Sequence, residues 1–281
     1  MTTTLARSGL GRVNPIRQTT IVLVAVVMSI PFLYMISASL MSAEDLAASP
    51  LRWLPSSLQP DNYSEAWGYL TTRTVLNTVF FAVAIVVGQL ALTLTAGFAL
   101  AHLPVPGSRT MLAVLLVPNL VPAELTLIPV FVVTYKLGLL GSYAGMILPI
   151  MCQTAFGTLL FRQFFSELPP GLIDAAKIDG AGWTRILVSI AVPLAKPAIA
   201  TYASITFLGA WNQYIWPQLV ANDEAHRVLN VALAPLAVSK YSLSSPAVGM
   251  AASVISIIPV AIVFVLAQRW FVKGIVGSGI D

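Results

Sequence analysis

Charged side chains are scarce in this chain of 281 residues. They make up 9% of it, whereas a typical soluble domain carries about 25%. Hydrophobic residues account for 57% of the sequence, and the mean hydropathy is +0.85. This composition excludes an ordinary soluble domain and indicates a membrane protein. The net charge of +4 is not gathered in a basic cluster, so it does not indicate a nucleic-acid partner.

Residues that commonly carry chemistry are also few. The single cysteine, Cys152, excludes an intrachain disulfide, and its apolar neighbourhood favours a small packing residue. His102 and His226 fall on opposite sides of the predicted topology, so they cannot share a metal ion. The motifs G-x-S-x-G, H-E-x-x-H and G-x-x-x-x-G-K-[ST] are all absent from the sequence. We therefore predict that the chain is not an enzyme and holds no metal or cofactor of its own.

Long apolar stretches, by contrast, recur along the whole chain. Each is long enough to cross a hydrocarbon core of about 30 Å as a helix. The first follows a basic segment, as in a secretory signal, but it exceeds the 7–15 residues typical of such a signal and is expected to stay uncleaved. Lipid offers no hydrogen-bond partners to the backbone, so helices are expected. The sequence thus predicts an all-α membrane protein with six transmembrane helices at about 20–40, 75–101, 111–135, 143–165, 197–216 and 247–271.

The basic residues predict the orientation of these spans. With the N-terminus inside, ten of the fifteen Lys and Arg residues fall at inner ends and loops, and five fall outside. This excess matches the positive-inside rule and predicts that both termini are cytoplasmic. The outer segment 42–72, rich in proline and aromatic residues, is expected to form a lid-like surface layer. The inner set is Arg7, Arg12, Arg17, Arg109, Arg162, Lys177, Arg185, Lys196, Arg269 and Lys273, and the outer set is Arg52, Arg73, Lys136, Arg227 and Lys240.

One charged segment interrupts the apolar pattern between the fourth and fifth predicted spans. Ser166 as a cap, Pro169 and Pro170 in a first turn, and Gly180 as a stop predict a short cytoplasmic helix over 168–180. A helix of about ten residues is not stable alone in water, so it must dock on another surface. The spacing also allows an ordinary helical loop. After Gly180, the stretch from Trp183 is expected to lie at the inner membrane interface.

The sequence "DAAKIDG", followed by nine residues and "IAVP", resembles the EAA motif of importer-type permeases of the ATP-binding-cassette class. Aspartate replaces the motif's glutamate, and Val192 replaces its leucine. The stretches "NYSEAW", "PAELTLIPVF", "LGLLGSYAGMILP", "WNQYIWPQLV" and "FVKGIVGSGID" are similar to the carbohydrate-type subfamily, which includes the smaller maltose permease subunit and the glycerol-phosphate permeases. The motif positions are occupied by Asp174, Ala175, Ala176, Gly180, Ile190 and Pro193.

The resemblance implies one permease half of an importer for a sugar or related polyol. Its implied partners are a second permease, a cytoplasmic ATPase dimer that binds ATP and Mg²⁺, and an extracytoplasmic binding protein or lipoprotein. The alternative within the same class is a carrier of glycerol-3-phosphate or a glycerophosphodiester. A stand-alone secondary carrier or channel, or a membrane-embedded enzyme, is a more distant alternative. The resemblance also implies a coupling helix that docks on the ATPase, in which Asp174 pairs with a basic residue of the ATPase. The implied coupling residues are Asp174, Ala175, Ala176, Lys177, Asp179 and Gly180.

Polar side chains inside the predicted spans mark a candidate solute pathway. Glu124 is the single acidic residue in a span interior; Asn119 lies near it, and prolines at 118, 122 and 129 weaken that helix. A helix-pairing role for Glu124 and an interfacial aromatic belt are the structural alternatives. No Lys or Arg lies in a span interior, which argues against an anionic solute unless the partner permease supplies the cation. Aromatic faces and amides that suit a sugar or polyol end the fifth predicted span, at Trp211, Asn212, Gln213, Tyr214 and Trp216.

Overall fold

The computed structural model describes residues 15–221, 223–237 and 245–277, and every regular element in these ranges is helical. The basic residues Arg7, Arg12 and Lys240 and both termini fall outside these ranges. The predicted side of each terminus therefore stays a prediction. The helices are α1 (Pro15–Ala38), α2 (Ala43–Ala47), α3 (Asp61–Leu70), α4 (Thr72–His102), α5 (Ser108–Leu120), α6 (Ala123–Lys136), α7 (Tyr143–Met151), α8 (Ala155–Ser166), α9 (Pro170–Ile178), α10 (Trp183–Ile186), a π-helical turn (Leu187–Ala191), α11 (Val192–Leu194), α12 (Lys196–Trp211), α13 (Ile215–Val220), α14 (Leu229–Ala237) and α15 (Pro246–Gly277).

Three continuous helices are long and apolar enough to cross a membrane: α1, α4 and the part of α15 at 246–268. They coincide with the predicted spans at 20–40, 75–101 and 247–271. Only 6% of the apolar window of α1 is buried within this chain. Because such a surface is stable only against lipid or another apolar surface, α1 must be covered by material other than this chain.

The other three predicted spans are interrupted. The stretch 111–135 forms α5 and α6, which are separated where Val121 takes an extended conformation before Pro122, as expected for a residue that precedes proline. The stretch 143–165 forms α7 and α8 with a bend of 45°. The stretch 197–216 is interrupted by the turn at 212–214 between α12 and α13, and α12 meets the preceding segment Trp183–Leu194 at 80°. If each bent pair is one span, the described residues give up to five spans. The count of six stays a prediction.

The buried side chains form two separate cores, and both α4 and α12 run through the two of them. The first, which we call the outer core after the predicted orientation, joins α3, α4, α7, the end of α12 at Ala210 and Trp211, α13, α14 and α15. The second, the inner core, joins the other end of α4 to α8, α9, α10 and α12. The largest fully buried side chains of the outer core are Phe81, Ile85, Met146, Leu70, Trp211, Leu229, Val228 and Val248, and those of the inner core are Phe161, Phe165 and Ile186.

The outer segment is held by a buried carboxylate. Asp45 is 1% exposed and accepts hydrogen bonds from the backbone N–H of Ser56 at 3.1 Å, from the Ser56 hydroxyl at 2.9 Å and from Arg52. The hydrogen bonds from Ser56, with that from Arg52, lower the pKa of the Asp45 carboxyl to about 2. The Asp45 carboxylate therefore ties the loop that ends at Ser56 back to α2, while Leu51, Trp53 and Leu54 of that loop remain exposed.

A single residue separates α3 from α4. Thr71 has φ +53°, which is uncommon for a residue other than glycine. Its N–H donates to the carbonyl of Trp67 at 2.8 Å, and its hydroxyl accepts from the N–H of Thr74 at 3.3 Å. One residue thus ends one helix and caps the next, and we call this one-residue junction between α3 and α4 the corner at Thr71.

Candidate functional site

The short helix α9 lies where the sequence places the coupling helix. It is attached to the inner core by Ile173, which is 4% exposed, and Ala176, which is 8% exposed. Residues three to four positions apart share a helix face, so these two define the attached side. The opposite side carries Gly171, Asp174, Ala175 and Ile178, all exposed. We call these four residues the outward face of α9.

The outward face combines a carboxylate with small and apolar groups. Ile178 is 86% exposed, although isoleucine is among the residues most often buried. Gly171 and Ala175 leave the backbone open to close approach. An exposed helix face of this composition is suited to insertion into a groove on another protein.

The ends of α9 are defined by its sequence. Pro170 occupies the first turn after Pro169. At the other end Gly180 has φ +78°, its N–H donates to the carbonyl of Lys177 at 3.0 Å, and the N–H of Ala181 donates to that of Ala176 at 2.9 Å. This pair of bonds is a Schellman motif, which requires the positive φ that glycine reaches without strain.

Ser166 does not cap α9, and that expectation is wrong. It is the last residue of α8, and its hydroxyl donates to the carbonyl of Arg162 at 2.8 Å. Proline provides the start of α9 instead, since it lacks the N–H that a cap would satisfy.

Lys177 lies on the flank of α9 and contacts the next element. Its Nζ lies 4.4 Å from the centre of the Trp183 ring, which is cation–π geometry. Trp183 in turn packs edge-on against Phe98 of α4, with ring centres 6.2 Å apart. These contacts tie α9 to α10 and α4, and they leave the Asp174 carboxylate exposed.

At the other end of the molecule, Asn77 organises the loop before α14. Its Nδ2 donates to the carbonyls of Ala225 at 2.9 Å and Arg227 at 3.0 Å, and its Oδ1 accepts from the hydroxyl of Tyr143 at 2.7 Å. Arg73 also donates to the Ala225 carbonyl, at 3.2 Å. Asn77 was not among the residues predicted from the sequence, although a lone asparagine near the start of an apolar span was the available signal.

The same loop contains a hydrogen-bonded pair of His226 and Asp223, called the ion pair below, that the sequence did not predict. His226 Nδ1 lies 2.8 Å from a carboxylate oxygen of Asp223. Partial desolvation raises the pKa of the Asp223 carboxyl, but the hydrogen bond and charge of His226, with the N–H groups of Ala225 and His226, outweigh it and lower that pKa overall. The ring of His226 packs edge-on against Tyr143 at 4.5 Å. The ion pair therefore reinforces the fold of this loop.

Gln89 is a second polar residue that was not predicted from the sequence to have a role. It lies in the middle of α4, is 7% exposed, and bonds to elements 61 and 113 residues away. Its partners are the carbonyl of Ile150 and the hydroxyl of Tyr202. Nothing in a single sequence reveals such distant partners, but an isolated glutamine in an apolar span is itself a signal.

The predicted pathway residues fall on different elements. Glu124 is exposed and lies in the first turn of α6, immediately after the break at Pro122. A carboxylate is favourable there because a helix N-terminus carries partial positive charge. Asn119 lies in α5, and its side chain is outside the described part of the chain. The pathway role of both residues stays a prediction.

The residues at the end of the fifth predicted span divide into two groups. Trp211 is 2% and Trp216 is 6% exposed, and both belong to the outer core. Trp216 donates its indole N–H to the carbonyl of Met146 at 3.1 Å. Asn212, Gln213 and Tyr214 form the turn between α12 and α13 and retain accessible surface. The prediction of solute contact thus fits this turn better than the two tryptophans.

The remaining candidate ligands are dispersed. The described residues contain no group of three or more His, Cys, Asp and Glu side chains that could hold a metal ion. Cys152 is exposed at the break between α7 and α8, so a packing role within this chain is not what the structure shows. His102 contacts Phe98 of the inner core, and His226 lies on the outer loop.

Apolar helices that cross the membrane and a short helix that presents an open face define a multi-pass membrane transport subunit. The chain belongs to the family described as binding-protein-dependent transport system inner membrane component, whose sequence profile matches residues 93–277. This confirms the resemblance to importer permeases of the ATP-binding-cassette class and their inner-membrane location.

Individual relatives extend the match over nearly the whole chain. The sn-glycerol-3-phosphate transport system permease protein UgpE of Rhizobium meliloti is 35% identical over 260 residues, which cover 89% of this chain and 92% of that protein. The protein of the same name from Brucella abortus is 34% identical over 272 residues, covering 94% and 96%. A chain in the crystal structure of a bacterial ABC transporter involved in the import of the acidic polysaccharide alginate superposes with a TM-score of 0.82 at 28% identity, covering 96% of this chain and 100% of that chain.

Proposed function

We propose that this chain forms half of the translocation pathway of an ATP-driven importer for glycerol-3-phosphate or a closely related phosphorylated polyol. The observation that carries the proposal is 33–35% identity over about nine-tenths of the chain to permeases named for sn-glycerol-3-phosphate. Family membership makes a stand-alone carrier, a channel or a membrane enzyme unnecessary as an explanation.

A saccharide is the second candidate solute, supported by the structural match to the alginate importer. Both solutes named for the relatives are anionic. In the described part of this chain, Lys and Arg residues lie in loops or toward the ends of the predicted spans rather than at their centres. We therefore propose that the partner permease supplies the cation, while the turn at 212–214 contributes amide and aromatic contacts to hydroxyl and C–H groups.

We propose that α9 is the coupling helix. Its outward face docks into a groove on the ATPase, with Asp174 accepting a hydrogen bond from a basic side chain and Ala175 permitting close approach. ATP and Mg²⁺ bind to the ATPase dimer, and a second permease and an extracytoplasmic binding protein complete the assembly.

The attached side of α9 supports this proposal, because Ile173 and Ala176 connect it to the inner core. A displacement of α9 during ATPase closure is transmitted to α4, α8 and α12 through those contacts. Packed cores are close to incompressible, so the helices move rather than deform locally.

Reconstitution with the cognate partners tests the solute. Proteoliposomes with loaded binding protein should take up glycerol-3-phosphate with ATP hydrolysis, and should discriminate against a neutral disaccharide and an acidic oligosaccharide. Uptake of the acidic oligosaccharide alone would make the second candidate correct. Hydrolysis stimulated by none of these solutes would contradict both.

Substitution of Asp174 tests the coupling helix. Loss of one partner of a buried interfacial charge pair costs at least about 2 kcal/mol, so Asp174→Ala should weaken binding of the ATPase by more than tenfold. Asp61→Ala, an exposed aspartate at the start of α3, is the matched control and should bind like the wild type. Equal ATPase binding by all three proteins would remove Asp174 from the interface.

A further inference from the structure

A buried amide connects three helices between the two cores. Gln89 Nε2 donates to the carbonyl of Ile150 at 2.8 Å. Its Oε1 accepts from the hydroxyl of Tyr202 at 2.9 Å, and the Thr206 hydroxyl approaches it at 3.4 Å. The amide thus links α4 to α7 on one side and to α12 on the other.

The bond to Ile150 completes a broken helix. In a continuous helix the Ile150 carbonyl would accept from the N–H of Thr154, but that N–H donates to Cys152 at 2.8 Å. The Ile150 carbonyl accepts from the N–H of Gln153 at 3.0 Å and from Gln89. The Ile150 carbonyl thus has a second donor besides Gln153. Because the buried Gln89 amide is itself costly to leave unpaired, this bond stabilises the bend between α7 and α8.

The bond to Tyr202 depends on a glycine. A Cβ atom on Gly157 of α8 would lie 2.5 Å from the Tyr202 hydroxyl oxygen and 2.7 Å from Cγ2 of Thr93. Thr93 in turn donates to the backbone carbonyl of Gln89 at 2.6 Å. The absence of a side chain at 157 therefore leaves the space through which Tyr202 reaches Gln89.

These bonds lie between the two cores, where relative movement of the cores would act on them. Ile85 and Ile150 belong to the outer core, whereas Phe161 and Tyr202 belong to the inner core. The bend of 45° between α7 and α8 lies between them, while α4 and α12 both remain continuous across this level. The bonded amide is thus the polar connection at the level where the two cores meet.

We infer that Gln89 and Tyr202 are positioning residues that set the angle between α7 and α8 and join it to α12. Because of these bonds, a movement of the inner core is transmitted to the outer core instead of being absorbed by further bending between α7 and α8 at Cys152. The inference rests on the proposed transport function, and it assigns a coupling role to residues that touch neither the ATPase nor, necessarily, the solute.

Two substitutions distinguish the bond of Gln89 to α7 from its contacts with α12. Gln89→Met keeps a flexible side chain of similar length and removes all three contacts of the amide, to Ile150, Tyr202 and Thr206. Tyr202→Phe keeps the ring packed at Gly157 and removes the stronger of the two contacts between α4 and α12, leaving the 3.4 Å approach of Thr206. Tyr135→Phe, at an exposed tyrosine in α6, is the matched control.

The first readout is the amount of solute imported per ATP hydrolysed by the intact reconstituted complex. Loss of a buried hydrogen bond changes a conformational equilibrium by about fivefold. We expect the ratio to fall by about that factor in Tyr202→Phe and further in Gln89→Met, with normal co-purification of the partners. An unchanged ratio in both variants overturns the inference. So does a loss of both activities that merely follows the loss of assembled complex.

The second readout does not depend on transport. Cys152 is the single cysteine of the chain and is exposed at the bend, so a nitroxide label there, with partners made free of cysteine, reports local motion. The label should become more mobile in Gln89→Met and stay unchanged in Tyr135→Phe; equal mobility in all variants overturns the inference. If the wild-type complex transports no tested solute, the proposed function fails, and the mobility measurement still decides the role of Gln89.

Discussion

Replacing Gly180 by proline tests whether the end of α9 transmits force. Gly180 has φ +78°, and proline fixes φ near −65°, roughly 140° away. The proline also removes the N–H that donates to Lys177 and disfavours the helical conformation of Asp179 before it. With the neighbouring bond from Ala181 to Ala176 also broken, about 2 kcal/mol of hydrogen bonding is lost.

Two glycine-to-alanine variants calibrate this effect. A Cβ on Gly180 meets no atom within 4 Å, so Gly180→Ala is strained by its backbone conformation alone, by about 1 kcal/mol. Gly171 on the outward face has equal free space and no positive φ, so Gly171→Ala should leave α9 intact. These variants separate damage to the helix end from the simple addition of a side chain.

The assay is ATP hydrolysis by the co-purified complex, with and without loaded binding protein. Gly180→Pro should insert and assemble but lose stimulation by the binding protein, while Gly180→Ala should retain most of it. Gly171→Ala discriminates further, because a docking groove too tight for a methyl group would weaken ATPase binding without altering the helix. If Gly180→Pro is stimulated as strongly as the wild type, the mechanical role of this segment is refuted.

Three other predictions concern the outer side and the pathway. The lowered pKa of the Asp45 carboxyl means that its stabilising effect is present above its unfolded value of about 4 and is lost as pH falls toward about 2. The protection of 42–57 against hydrogen exchange, taken relative to the intrinsic rate at each pH, should therefore fall over that window in the wild type, whereas Asp45→Asn should show low protection at neutral pH as well. Asn77→Ala removes three hydrogen bonds, each contributing about 1 kcal/mol, so trypsin should cleave after Arg227 faster than in the control Asn62→Ala; equal cleavage would show that Asn77 does not hold the loop. Glu124→Gln should alter uptake per assembled complex, and failure of assembly with normal uptake per complex would favour a helix-pairing role instead.

Hydropathy predicts where the apolar stretches lie, but it does not predict whether each of them forms one unbroken helix. It identifies α1, α4 and α15 because each is uninterrupted along its membrane-crossing length, apart from single prolines that the helix tolerates. It misses the break before Pro122 because an apolar run is scored alike whether or not its backbone hydrogen bonds continue. The prolines were visible in the sequence, but which of them breaks a helix depends on neighbouring elements that supply the missing bonds.

The candidate site was predictable where its chemistry is local. The end of α9 at Gly180 follows from a glycine after a short apolar helix, and its bonds lie within five residues. Asn77 and Gln89 were missed because their partners lie 61 to 150 residues away. The burial of Trp211 and Trp216 likewise depends on α14 and α7, so composition alone suggested an exposed role for rings that pack inside.

The corner at Thr71 limits where residues can be inserted into this protein during evolution. One added residue within α3 would turn everything before it by about 100° around the helix axis. Ala66, now fully buried, would leave the outer core, while the corner keeps α3 fixed to α4. Homologous chains should therefore tolerate insertions in the loop before Asp61 and exclude them between Ala66 and Thr74. The number of residues across this corner is thus expected to be constant in the family.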